Sequence, residues 1–235
     1  MIYIGLDDTD TRETPGTNKL AMHLAGLLDD RYITHWIVRH QLLEDPRVPC
    51  TNRNGCVSLQ LEPLGDTSLP ALIDYLRDVI IRWCPEGSDP GLCVIDSNPE
   101  RLIPWGRRVQ TELVEQSAAI DLARTLGIHL EPLGGTGGGV IGALAAVGLL
   151  ATWNSGRVIH AHRAPPNAFA LTGTHAAEKI YASGVDDILS IVDGRRVETG
   201  EVDLVKRLRP NMRDGRVTLY VARAENGWQA QRIVA

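Results

Sequence analysis

The chain has 235 residues, 43% of them hydrophobic and 23% charged, with a formal net charge of -5. That is ordinary globular composition, long enough for one large domain or two small ones, and it excludes a disordered or fibrous chain. The acidic balance disfavours tight stand-alone nucleic-acid binding, which usually rests on an excess of Lys and Arg.

The N-terminal stretch meets acids after six residues, so it has neither the basic start nor the apolar length of a signal peptide. The longest apolar run, residues 140–151, is interrupted by Gly142 and Gly148 and falls short of the roughly 18 residues of a membrane span. A cytoplasmic protein with no membrane partner is therefore expected. The four cysteines contain no C-x-x-C pair, so no zinc ribbon or dithiol centre is encoded, and they read as reduced packing residues.

In chain order, residues 2–6 read as a strand and 18–28 as a helix with Leu20, Leu24, Leu27 and Leu28 on one face. Residues 33–39 and 56–62 read as two further strands, 69–83 as a second helix, and 92–96 as a fourth strand after the Asp89-Pro90-Gly91 turn. The order βαββαβ predicts an α+β fold with a ferredoxin-like core, its helices covering one face of an antiparallel sheet. Beyond a loop holding Pro99, Pro104 and Gly106, residues 109–126 read as one long helix ended by Gly127. Residues 128–131 are extended, and a glycine run opens an apolar helix over 140–150. Three hairpin signals follow, Asp193-Gly194, Asp214-Gly215 and Asn226-Gly227, the last two flanking a strand over 216–222 and preceding one over 228–234. A domain of residues 1–155 and a smaller strand-rich subdomain of 156–235 are expected.

Asp7, Asp8 and Asp10 place three carboxylates in four residues at the end of the first strand. Buried without a counter-ion, such a cluster must protonate. Magnesium removes the conflict, because it takes one or two carboxylates together with substrate phosphates and water. In an extended chain Asp8 and Asp10 share a side, and Asp7 points away unless the turn rotates it, which ranks Asp7 last. The alternative is a solvated turn whose acids stabilise the start of the next helix.

The run Gly134-Gly135-Thr136-Gly137-Gly138-Gly139 exposes backbone amides at a helix N-terminus, a cradle for phosphate. No Lys-Ser or Lys-Thr follows, so it is no Walker A loop, and the ribose-binding acid of a dinucleotide fold is missing. The alternatives are a flexible hinge, or close packing of the small residues from Gly142 to Gly148. Cation site and anion cradle together predict a magnesium nucleotide. The segment between Glu131 and Glu178 holds no acid but contains Arg157, His160, His162, Arg163 and His175, a composition suited to phosphate. Arg209-Pro210-Asn211-Met212-Arg213 reads as a turn, with a phosphate clamp as the lesser reading. Lys19 either contacts phosphate or decorates its helix. His23 and His35 have no ligand-spaced companion and read as packing or solvated residues, while His160 and His162 alternate on one strand face.

The string Gly5-Leu6-Asp7-Asp8-Thr9-Asp10, Gly16-Thr17 opening a helix, Pro49 before Arg53-Asn54-Gly55, Asp89-Pro90-Gly91, and the helix from Gly139 to Gly148 resemble the archaeal tRNA(Ile) agmatinylcytidine synthetases over about residues 1–155. The resemblance implies a kinase-like domain using ATP and magnesium. It implies metal binding by Asp7, Asp8 and Asp10, phosphate contacts from Gly135 to Gly139, phosphorylation of Thr17, and approach of Arg53 or Asn54 to the transferring group. The family's OB-type and zinc-ribbon modules have no counterpart in this sequence, so the tRNA substrate is not carried over. The expectation is an ATP- and magnesium-dependent phosphotransferase or ligase-like enzyme with an unknown acceptor, RNA entering only weakly or through a partner, and a homodimer open. A non-catalytic nucleotide- or partner-binding module is the alternative.

Overall fold

Strand β1 (Ile2–Asp7) sorts its side chains by parity, as an extended chain must. The computed structural model describes residues 1–48, 50 and 53–233; Pro49 of the resemblance and Val234 of the expected last strand lie outside the described residues. Ile2, Ile4 and Leu6 join Leu20, Leu24 and Leu28 of α1 (Thr17–Leu28) and Leu72, Leu76 and Ile80 of α2 (Leu69–Trp83) in one apolar cluster. Ser68 starts α2 by accepting from the Ala71 amide, with Pro70 placed where a helix tolerates it.

Gly5 and Asp7 look the other way, onto α5 (Val140–Ala151). A Cβ on Gly5 would stand 1.9 Å from the Ala143 carbonyl oxygen, so only glycine lets the helix lie this close. Together with α3 (Ile103–Thr111) and α4 (Gln116–Leu126), α5 builds a second cluster on this face. The sheet therefore carries helices on both faces, where one covered face was expected. The small residues of α5 are packing residues, as the sequence suggested: a Cβ on Gly148 would meet the Leu102 carbonyl at 2.1 Å.

The expected helix over 109–126 is broken. Pro104 lies in the first turn of α3, where its missing N–H costs nothing, so helix begins six residues early; it stops at Thr111 and resumes at Gln116. Gly127 ends α4 in the left-handed region (φ +67), as predicted.

Strands β2 (Tyr32–Arg39), β3 (Val57–Pro63), β4 (Gly91–Ile95), β5 (His129–Pro132) and β6 (Arg157–Ala161) pair antiparallel in the order β5-β4-β1-β3-β2-β6. From β6 the same sheet runs on through β10 (Asn211–Arg213), β11 (Arg216–Ala224), β12 (Gly227–Ala230), β9 (Glu201–Asp203) and β7 (Thr174–Ala176), with β8 (Asp187–Ser190) parallel to β11. This half also carries the short α6 (Ala177–Ala182) and a third apolar cluster. At the Asp214-Gly215 hairpin both residues take positive φ, +48 and +72, which the twist of the flanking strands favours. The buried His40 ring bonds Ser58 on one side and Ser155 on the other. Among the described residues no helix is long and apolar enough to cross a membrane.

Candidate functional site

Asp8 takes a left-handed conformation, φ +48, which Asp tolerates better than most residues. The turn rotates the end of β1, and Asp7, Asp8 and Asp10 all line one cavity of about 650 Å³. Ranking Asp7 last is thereby corrected: the extended-chain argument fails because the chain turns at Asp8. Asp7 lies against α5, where a Cβ on Gly142 would stand 1.9 Å from its Oδ2.

Asp10 has a second task. Its Oδ1 accepts from the Thr17 amide at 3.2 Å and from the Thr17 hydroxyl at 3.1 Å, and Thr9 Oγ donates to Thr17 Oγ at 3.1 Å. Gly16 precedes α1 with no side chain to cap it, so a carboxylate seven residues upstream does so. For Asp10 the helix-start reading is thus met.

Withdrawal from water, then the neighbouring Asp8 charge, pushes the Asp7 carboxyl up to about 7. The same withdrawal, followed by Asp89 and Asp10, pushes Asp8 up to about 6. The Arg39 charge acts against this rise at Asp7 but does not offset it. Among the described residues no group of three or more His, Cys, Asp or Glu side chains is arranged to hold a metal ion. Magnesium needs no such cage, since one or two carboxylates, phosphate oxygens and water suffice. The donor set therefore fits magnesium shared with a phosphate ligand.

The glycine turn faces the same cavity through Thr136, Gly138 and Gly139. Gly134, Gly135 and Gly137 do not line it. Gly135 (φ +57) and Gly137 (φ +82) bend the turn around Asp89, whose carboxylate accepts from the Gly137 amide at 2.5 Å and from the Thr136 hydroxyl. Gly139 crosses Gly91 so closely that a Cβ on Gly91 would stand 2.2 Å from its carbonyl. Part of the cradle is thus occupied by the chain's own acid, and part of the glycine content serves packing.

Arginines line the same cavity. Arg47 pairs with Asp45 and Arg53 with Glu44 at 3.7 Å. Arg39, Arg157, Arg207, Arg209 and Arg232 line the cavity with no ion pair among the described residues. Arg157 and Arg209 stood out in the sequence through the acid-free segment and the Arg-Pro turn. Arg39, Arg207 and Arg232 did not, because only the pairing of distant strands brings them here. Asp89 was read as part of a turn, and its link to the glycines had no local signal.

Asn54 lines the cavity, yet its side-chain amide donates to the Leu43 carbonyl at 2.8 Å, so it braces the wall. Lys19 is exposed and outside the cavity lining. His23 stacks on Trp83, His35 pairs with Glu62, and His160 bonds the Thr34 carbonyl. Cys56 and Cys93 are buried free thiols, pushed up by burial, as packing residues would be.

This mixed α+β fold is shared with solved enzymes of tRNA, and it is TiaS-like. A tRNA fluorescent labeling enzyme is 26% identical, with TM-score 0.56, over 63% of this chain and 35% of that one. TiaS in complex with tRNA(Ile2) and ATP is also 26% identical, with TM-score 0.56, over 63% of this chain and 36% of that one. The matches thus take in about a third of those longer chains. A TiaS complex with tRNA(Ile2), AMPCPP and agmatine is 19% identical with TM-score 0.55, a likeness of fold alone, but over 90% of this chain and 52% of that one. No family model and no curated protein matches the chain.

Proposed function

We propose that the cleft binds ATP with magnesium and transfers its terminal phosphoryl group, in an enzyme related to TiaS. The observation that carries this reading is the link from the acidic turn to the glycine turn: the Asp89 amide donates to the Asp8 carbonyl at 3.0 Å while the Asp89 carboxylate holds Gly137. Asp8 and the start of α5 therefore share one cleft, as a bridging polyphosphate requires. The ATP in a TiaS complex supports the same assignment.

On this reading Asp7 and Asp8 hold magnesium, which when bound would neutralise phosphate charge. Thr136, Gly138 and Gly139 meet the phosphates, and Arg53 approaches the transferring group. Thr17 is the phosphate acceptor within the chain. Its hydroxyl already donates to Asp10 Oδ1, the arrangement of a nucleophile beside its base. Thr17 Oγ attacks the terminal phosphorus, its proton passes to Asp10, and the bond from that phosphorus to the bridging oxygen breaks to release ADP. Residues 1–155, with a ferredoxin-like order β4-β1-β3-β2, form the kinase-like unit, and 156–235 the subdomain that faces the acceptor. We place the enzyme in the cytoplasm, with RNA reached weakly or through a partner given the net charge of -5.

One observation favours the non-catalytic reading. Asp89 occupies the Gly137 amide, where a phosphate oxygen would otherwise bind. Incubation with terminally labelled ATP and magnesium separates the two readings. An enzyme labels Thr17 or releases phosphate, and Asp8→Asn abolishes both while the fold persists. ATP binding without any transfer supports the binding module, and equal turnover in Asp8→Asn removes the aspartate from the chemistry.

A further inference from the structure

Arg39 at the end of β2 and Arg157 at the start of β6 stand directly opposite each other, and Asn211 of β10 stands opposite Arg157 on its other side. Directly opposed like charges destabilise an antiparallel pair. Among the described residues neither guanidinium has an ion pair; Arg39 feels the Asp7 and Asp10 charges and donates to the Arg53 carbonyl at 3.4 Å. Arg157 Nη1 is buried without a hydrogen-bond partner among the described residues. Burial, then Arg209, Arg39, Arg207 and Arg232, brings the Arg157 guanidinium down to about 9. Burial and the neighbouring arginines lower Arg209 too.

A satellite cavity of about 40 Å³ opens beside these groups, lined by Arg39, Arg157, Arg209, Arg232, Gln41 and Asn211 among others, with no carboxylate and no glycine of the 134–139 turn. The four arginines also line the main cavity, so the two spaces share a wall. Buried polar groups are normally satisfied, and a buried guanidinium nitrogen without a partner, among arginine neighbours, calls for an anion. Guanidinium forks match phosphate oxygens two at a time, and a converging set favours a dianion.

We propose that the Arg39, Arg157, Arg209 and Arg232 cluster binds the terminal phosphate of a second substrate, a phosphate monoester, at a place separate from the nucleotide phosphates. The small recess admits an end group, whereas a diester would have to pass through it. A cationic amine of the agmatine kind is repelled from this end of the cleft. Only the word "second" rests on the nucleotide reading; the anion site stands without it.

The test titrates inorganic phosphate into the full chain at low ionic strength by calorimetry, without nucleotide and then with saturating magnesium and AMPCPP. Phosphate binding is expected in both conditions, weakened at least tenfold by Arg157→Gln and by Arg209→Gln. Methyl phosphate is expected to bind and dimethyl phosphate to fail. Unaltered binding in the arginine variants, displacement by AMPCPP, or equal binding of the diester would each overturn the proposal. If Arg157→Gln does not fold, Arg209→Gln, altered at a half-buried side chain, decides the matter. If AMPCPP does not bind at all, the nucleotide reading fails and the phosphate titration still judges the arginines.

Discussion

The Asp89 carboxylate accepts from the Gly137 amide at 2.5 Å while the backbone of the same residue is bonded to Asp8 at 3.0 Å. One residue thus fixes the spacing between the acidic turn and the glycine turn. It also adds a negative charge beside Asp8, the second cause of that residue's raised pKa. Asp89→Ala removes a charged acceptor from a backbone donor and is expected to destabilise the fold by about 1.5–3 kcal/mol. Asp89→Asn keeps an oxygen for Gly137, costs less, and brings the Asp8 pKa down towards 3.8. Denaturant titration checks the first outcome, and carboxyl NMR titration the second.

Glycine substitutions separate packing from permissive surface. Gly142→Ala sets a methyl group 1.9 Å from Asp7 Oδ2, and Gly5→Ala sets one 1.9 Å from a backbone carbonyl. Each forces a shift expected to cost about 1–3 kcal/mol, Gly5→Ala the more, because backbone yields less readily than a side chain. Gly26 lies within α1 with nothing inside 4 Å of its virtual Cβ, so Gly26→Ala is expected to stabilise by roughly 0.5–1 kcal/mol. Melting curves of the three variants give the comparison.

Stability is pulled in two directions by pH. The folded state raises Asp7 to about 7 and Asp8 to about 6, so it binds protons the unfolded chain has already lost. Their contribution is greatest below about pH 4 and is lost as pH rises through 7. His40 is held neutral by burial, its pKa lowered to about 3, so its contribution is full above 6.5 and lost as pH falls below that value. Asp7→Asn is therefore expected to match the parent protein at pH 4 and to melt higher than it at pH 8. Magnesium with AMPCPP is expected to raise the melting temperature more at pH 8 than at pH 5, since only ionised carboxylates need the cation. Equal shifts at both pH values would count against Asp7 and Asp8 as its ligands.

What the sequence disclosed and what it hid have physical causes. The apolar face of α1 and Gly127 at a helix end are local signals met in the structure, with Leu20, Leu24 and Leu28 buried, though Leu27, placed on the same face, is exposed. The three aspartates and half of the glycine turn could be placed together because chemistry, not geometry, joined them. The opposed pair Arg39 and Arg157 is 118 residues apart in sequence and meets only through the β2–β6 register, which no local pattern encodes. The break between α3 and α4 was misread because the apolar spacing runs on across residues 112–115 while Pro104, taken for a loop residue, starts a helix.

Thr17 and Asp10 admit two accounts that one pair of variants distinguishes. If Asp10 only caps α1, Asp10→Asn keeps an acceptor for the Thr17 amide and Asp10→Ala costs about 0.5–2 kcal/mol of stability, as lost caps do. If Asp10 also takes the proton from Thr17 Oγ, both variants slow phosphate transfer to Thr17, and Asp10→Asn does so with little loss of stability, because an amide oxygen caps but is a poor base. Thr17→Ser retains the hydroxyl that donates to Asp10 at 3.1 Å and is expected to label, whereas Thr17→Ala is not. The decisive measurement is labelling rate against melting temperature across the set. Labelling that falls only in proportion to lost stability leaves Asp10 a cap, and labelling that falls tenfold or more in a stable Asp10→Asn protein assigns it the proton.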